Sequence, residues 1–191
     1  MKINYSFIGL IIFSLYTGYI KELGLLLSCL LLHELGHIIF ILLFKIKIKR
    51  FTLSLYGGLL ELNEFDYQKI TKYKQIMIYI SGIIMNLLFY VIFKNNIYGK
   101  YHLLLFVFNL LPIYPLDGYN VIKLLLFNNN YQSNTIVNNL SVIFIVILLI
   151  YSIYSCSIGL LLIVIVLIVK NIQYYKSKDK IYLLNLINNM V

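Results

Sequence analysis

Long apolar runs with short polar punctuation dominate the chain: Tyr5–Ile20, Gly24–Phe44, Ile76–Phe93 and Leu140–Val169. A helix needs roughly 20 mostly apolar residues to cross about 30 Å of hydrocarbon, and these runs meet or approach that length. Leu140–Val169 exceeds what one untilted helix requires. Small residues at Ser155-Cys156-Ser157-Ile158-Gly159 allow a hairpin of two helices there, and a single tilted helix is the alternative. A further apolar stretch, Tyr101–Phe127, is interrupted by Pro112, Pro115 and Gly118. The pattern predicts a membrane all-α fold with about six transmembrane helices.

One segment has a different period. Lys45-Ile46-Lys47-Ile48-Lys49 alternates every second residue, as does Phe51-Thr52-Leu53-Ser54-Leu55, with a phase slip at Arg50. Alternation of this kind belongs to strands, and a slip of one residue is what a bulge produces. Tyr56-Gly57-Gly58-Leu59 offers a turn into Leu60-Glu61-Leu62-Asn63, so a small β-hairpin is expected between the second and third spans. Its edge offers a template for an extended peptide. A basic surface loop against anionic lipid is the other reading. From Lys176 onward, charges mix with Ile181, Leu183, Leu184, Leu186 and Ile187, as in an interfacial amphipathic helix. Residues 1–175 are therefore expected to form one transmembrane domain, and 176–191 a cytoplasmic or interfacial tail.

Composition agrees with this division. Hydrophobic residues make up 61% of the 191 and charged residues only 12%, against about half and about a quarter in soluble domains. The net charge of +9 does not point to nucleic acid, because the basic residues sit beside spans, where they set orientation. With the N-terminus inside, all 16 lysines and arginines except Lys21, Lys94 and Lys100 fall on inner segments. That bias predicts a multi-pass bacterial cell-membrane protein with both termini cytoplasmic, and an even number of spans. Met1–Asn4 followed by Tyr5–Ile20 lacks an A-x-A-like cleavage site and reads as a retained first span. Cys29 and Cys156 both lie in apolar runs, which suits buried thiols better than a disulfide framework. The tyrosines near span ends fit interfacial aromatic belts.

The chemistry concentrates in His33-Glu34-Leu35-Gly36-His37. On a helix, residues four apart lie about 40° apart in azimuth and one turn along, so two imidazoles can meet one ion. Glu34 sits within about 60° of His37, near enough to act on a water at that ion. Both histidines fall near the centre of the second span, where ionisable groups are costly and rarely left unpaired. A hydrogen-bonded histidine pair in a helix bundle is the plainer reading, but it leaves the zinc-type spacing unexplained. A catalytic zinc site usually has three protein ligands and one open position. Besides Glu34, only Asp117 among the acidic residues sits in an apolar segment, in Asn109-Leu110-Leu111-Pro112-Ile113-Tyr114-Pro115-Leu116-Asp117-Gly118. Alone, Asp117 would pass as a helix cap after a proline break. Alongside the histidines it is the candidate third ligand.

These residues resemble the site-2 proteases, zinc proteases that cleave inside or beside the membrane, and within them the branch of the stage IV sporulation protein FB. His33 through His37 resembles that family's first motif, and Asn109 through Gly118 its second, N-x-x-P-x-x-P-L-D-G. The resemblance implies a site-2 protease-like core, Zn2+ held by His33, His37 and Asp117, and Glu34 as the base. It makes Asn109 and Pro115 residues that help hold substrate, with the Asn109 amide also a candidate donor to the oxyanion. The plainer reading of Asn109 is polar glue between helices. Ser81-Gly82-Ile83-Ile84-Met85-Asn86 resembles the family's Gly-Pro-x-x-Asn element, with Ile83 where proline is common. Tyr119 and Asn120 replace the glycine and basic residue often found after the aspartate–glycine pair. Both departures bear on substrate positioning rather than on ligands or base. Asn86 reads as glue rather than as a catalyst.

The function so implied is a zinc metalloendopeptidase, a hydrolase acting on a membrane-tethered protein. A pro-sigma factor of sporulation is the leading substrate, and an inhibitory membrane protein is a further partner to consider. The alternative is a membrane metal or proton transporter using the same His/Asp cluster, which would string ionisable residues along several helices. A protease with a glutamate third ligand is disfavoured because no later glutamate lies in a span. A proteolytically silent scaffold is disfavoured because ligands and base are all present.

Overall fold

A computed structural model describes the backbone of residues 2–3, 14–54, 57–126 and 131–188, and side chains over 14–50, 62–63, 65–126 and 135–177. The described elements are β1 (Lys2–Ile3), α1 (Ile20–Leu43), β2 (Ile48–Ser54), β3 (Gly57–Leu62), α2 (Glu64–Lys69) and α3 (Lys72–Ile92), followed by α4 (Ile97–Leu110), α5 (Asp117–Leu126), α6 (Tyr131–Tyr154) and α7 (Ile158–Asn188). They fall into two compact units, 1–110 and 111–191.

In the first unit, α1 packs against α3 and α4. Its buried positions, Cys29, His33, Glu34, Gly36, His37 and Ile41, recur at three- and four-residue spacing, which keeps them on one face. The opposite positions Leu31, Leu35, Ile39 and Leu42 are exposed. A bilayer supplies the apolar partner such a face requires. Where α1 ends, Lys45 turns into the left-handed region with φ of 57°, and the Ile46 N–H donates to the Ile41 carbonyl at 3.0 Å. This closes orphan carbonyls of the last turn.

The hairpin lies where the alternation predicts it. β2 and β3 pair antiparallel, Phe51 opposite Leu60 and Thr52 opposite Leu59, with a register shift between Ile48 and Arg50 that matches the expected bulge. The glycines differ from expectation. Gly57 and Gly58 pair with Ser54 and Leu53 inside the ladder rather than forming the turn, because the apolar pairings Ile48–Leu62 and Phe51–Leu60 fix the register. β1 adds a parallel strand beside β2, giving the order β1-β2-β3, which nothing in the alternation pattern announces. At the base of the sheet Ile41, Ile46 and Ile78 form a buried cluster, ringed by Phe40, Phe44, Ile48, Leu62, Tyr67 and Ile70.

Among the described residues four helices are long and apolar enough to span a membrane: Ile20–Leu43, Lys72–Ile92, Thr135–Tyr154 and Ile158–Ser177. The chain is a mostly helical, multi-pass membrane protein. The expected first span, Tyr5–Ile20, lies largely outside the described residues, with a helical turn visible at 14–17. Leu140–Val169 resolves as two helices. They separate at Cys156, whose φ of 49° ends α6, while the Ser157 hydroxyl accepts from the Leu160 N–H at 3.5 Å at the start of α7. The stretch Tyr101–Phe127 is not one helix. The prolines at 112 and 115 divide it into α4 and α5. α7 continues as helix through Asn188, so no break separates residues 158–175 from the tail.

Candidate metal centre

Two histidines one turn apart on α1 converge as the spacing predicts. His33 Nε2 and His37 Nε2 are 3.1 Å apart, with ring centroids 4.7 Å apart and planes at 86°. Two nitrogens each about 2.0–2.1 Å from one tetrahedral zinc would stand roughly 3.3 Å apart, so the pair fits a shared ion. The outer nitrogens are tied to α3. His37 Nδ1–H donates to the Ile78 carbonyl at 2.7 Å, which leaves the Nε2 lone pair facing inward. His33 Nδ1 lies 2.9 Å from Asn86 Nδ2. Asn86 Oδ1 in turn lies 3.1 Å from His102 Nδ1 on α4. Glu34, adjacent to His33, is also buried.

Close approach of α3 makes these contacts possible, and glycine makes the approach possible. A Cβ on Gly82 would collide with Nε2 and Cε1 of His37 and with Cε1 of His33. A Cβ on Gly36 would meet the Ser81 carbonyl oxygen at 2.8 Å. Each helix thus lends a hydrogen-only position to the other, as small-residue interfaces do in membranes. The cradle at Gly82 and the all-nitrogen pair in front of it suit a borderline-soft divalent cation such as zinc.

Asn109, near the end of α4, is buried and donates through Nδ2 to the Leu105 carbonyl at 3.0 Å. In the second unit, Asp117 is the first residue of α5. The preceding segment contains a cis Tyr114–Pro115 peptide and is held by side chains from α6 and α7. The Tyr114 N–H donates to Ser141 Oγ at 3.1 Å, and Asn171 Nδ2 donates to the Tyr114 carbonyl at 2.8 Å. Ser141 Oγ also donates to Asn171 Oδ1 at 3.0 Å, which joins the two helices. Tyr119 donates to Asn138 Oδ1 at 2.6 Å and anchors the first turn of α5. The sequence reading treats Asn86 as glue and gives His102, Ser141 and Asn171 no role. For Asn86 the signal was the Ser81–Asn86 element, and for the other three only that each is a polar residue inside an apolar helix.

The peptidase family M50 profile matches residues 22–97, a stretch that includes both α1 histidines, Glu34, Gly82 and Asn86. The stage IV sporulation protein FB of Bacillus subtilis (strain 168) is 32% identical over 123 residues, covering 58% of this chain and 42% of that protein. The chain's match thus spans less than half the length of this curated relative. The solved site-2 protease from Methanocaldococcus jannaschii superimposes with a TM-score of 0.67 at 25% identity, covering 87% of this chain and 82% of that one. The chain is thus similar in its first half to peptidase family M50 and in its fold to a solved site-2 protease. The histidine motif expected from spacing lies inside the stretch the family profile covers, whereas Asn109 and Asp117 lie beyond it.

Proposed function

We propose that this chain is an intramembrane zinc metalloendopeptidase of the site-2 protease kind, which hydrolyses a peptide bond of a membrane-tethered protein within or beside the bilayer. The observation that carries the reading is the convergence of His33 Nε2 and His37 Nε2 at 3.1 Å, with the far side of each ring tied to α3. His33, His37 and Asp117 would hold the metal. When bound, zinc supplies Lewis-acid activation of a water and of the scissile carbonyl near neutral pH. Glu34 takes the proton from the attacking water and later delivers it to the leaving amine. Asn109 donates to the developing oxyanion. Its amide nitrogen carries two hydrogens, and the bond to Leu105 uses one of them.

The substrate class follows from resemblance to the sporulation protein: a tethered pro-sigma factor, released by cleavage. The open edge of β3 would receive the unwound substrate strand, and an inhibitory membrane protein would compete for the same approach. The bacterial cell membrane, with both termini cytoplasmic, is the proposed setting. Residues 1–175 serve as the protease domain, and 176–191 as a tail at the interface.

Co-expression with tethered pro-sigma candidates tests the reading. Wild type should release the soluble product, and Glu34→Gln should release it at least about 10²-fold more slowly, the scale of a lost general base. The variant should still retain metal. Equal cleavage by both proteins would overturn the proposal.

A further inference from the structure

With the Asn86 amide placed so that Nδ2 faces His33 and Oδ1 faces His102, the hydrogen bonds behind the histidine pair run in one direction. The Ile78 carbonyl can only accept, so His37 carries its proton on Nδ1 and presents a lone pair at Nε2. Asn86 presents Nδ2 to His33 Nδ1, so that nitrogen accepts, and a neutral His33 then carries its proton on Nε2, facing His37 Nε2. At the far end Asn86 Oδ1 accepts from His102 Nδ1–H. Four bonds thus link His102, Asn86, His33, His37 and Ile78 in a single sense, all donating toward Ile78. Both Asn86 and His102 are fully buried, and His102 is fixed by stacking on Phe89 at 5.1 Å and by an edge contact with Tyr98 at 4.8 Å.

That sense is incompatible with a metal on both Nε2 atoms, because a ligating nitrogen must offer a lone pair. A metal-ligating histidine instead donates its other ring N–H to an oxygen. We propose that Asn86 is the positioning residue for His33, and that its side-chain amide and the His102 ring reverse their hydrogen-bonding sense when His33 binds metal. This inference rests on the ligand role proposed for His33 and His37.

In the reversed state Asn86 Oδ1 accepts from His33 Nδ1–H, and Asn86 Nδ2 donates to His102 Nδ1. The proton of His33 moves from Nε2 to Nδ1, and that of His102 from Nδ1 to Nε2, so both rings stay neutral with one proton each. The reversal takes a half-turn of the amide together with one proton relocated on each ring, and separations of 2.9 and 3.1 Å suit either sense. His102 Nε2, fully buried and without a hydrogen-bond partner among the described residues, can take the proton with no bond to them to break. His102 thereby registers the state of a ligand it does not touch.

The test uses the full chain in detergent micelles, with zinc affinity read by chelator competition and histidine tautomers by 15N NMR. In wild type, zinc should switch His102 from Nδ1–H to Nε2–H. Asn86→Leu should weaken zinc binding roughly 10- to 100-fold, the usual cost of a lost supporting partner. Asn86→Asp offers an oxygen to both rings, so it should bind zinc at least as tightly as wild type while His102 keeps Nδ1–H throughout. That rescue, with the switch abolished, is not what a packing role would give. A His102 tautomer unmoved by zinc in wild type, or full affinity in Asn86→Leu, overturns the inference. If Asn86→Leu does not fold, the contrast between wild type and Asn86→Asp decides alone. Zinc binding that survives His37→Ala would sink the ligand assignment itself. Binding lost there but unchanged in Asn86→Leu would sink only the role of Asn86.

Discussion

One methyl group at position 82 probes how tightly the imidazoles are held. Alanine is the better helix former by about 1 kcal/mol, so the substitution should favour α3 taken alone. Its Cβ, however, lands on ring atoms of both His33 and His37. Gly82→Ala is therefore expected to leave a folded helix but lower zinc affinity at least tenfold, measured as bound zinc per chain beside thermal unfolding. Gly36→Ala should behave differently. Its Cβ meets the backbone oxygen of Ser81, which cannot rotate away, so the unfolding temperature should fall. At this scale the histidine motif was legible because helical spacing alone brings positions 33 and 37 together. The support behind it was not, because Asn86 and His102 are 53 and 16 residues from the partners they meet. Both belong to no spacing rule.

Elements show the same division between local pattern and distant contact. Prolines at 112 and 115 predict that the helix must break, and it does. Which groups satisfy the freed backbone is decided by Ser141 and Asn171, 27 and 57 residues from Tyr114. Asn171→Leu removes the donor to the Tyr114 carbonyl and the acceptor for Ser141, leaving buried polar groups unpaired. It should cost about 1–3 kcal/mol, read as earlier unfolding in micelles. Ser141→Ala should cost less, since Asn171 can still hold the carbonyl. An unchanged unfolding curve for Asn171→Leu would contradict the clamp. In the hairpin, alternation revealed strands and bulge, but cross-strand pairing set the register and drew both glycines into the ladder.

At the scale of the molecule, four apolar runs among the described residues form helices long enough to span a membrane. The 14 residues of α4 reach about 21 Å at 1.5 Å per residue, short of about 30 Å of hydrocarbon, so Tyr101–Phe127 could not count as one helix. Small residues at 155–157 left a hairpin and a single tilted helix both open; the structure has two helices, and the consequence is testable with a natural thiol. Cys156 is exposed where α6 meets α7, while Cys29 is buried. With both termini cytoplasmic, an impermeant maleimide added outside intact cells should label Cys156 and spare Cys29. Labelling of Cys156 only after permeabilisation would reverse the proposed orientation. The transporter alternative places its ionisable groups along a path, whereas this account confines them to a metal centre.

Anomalous diffraction at the zinc edge from crystals of the zinc-loaded chain tests the central claim most directly. The account predicts a single strong peak within about 2.0–2.2 Å of Nε2 of His33, Nε2 of His37 and one carboxylate oxygen of Asp117. A peak bound elsewhere, or none between the two imidazoles, would contradict it.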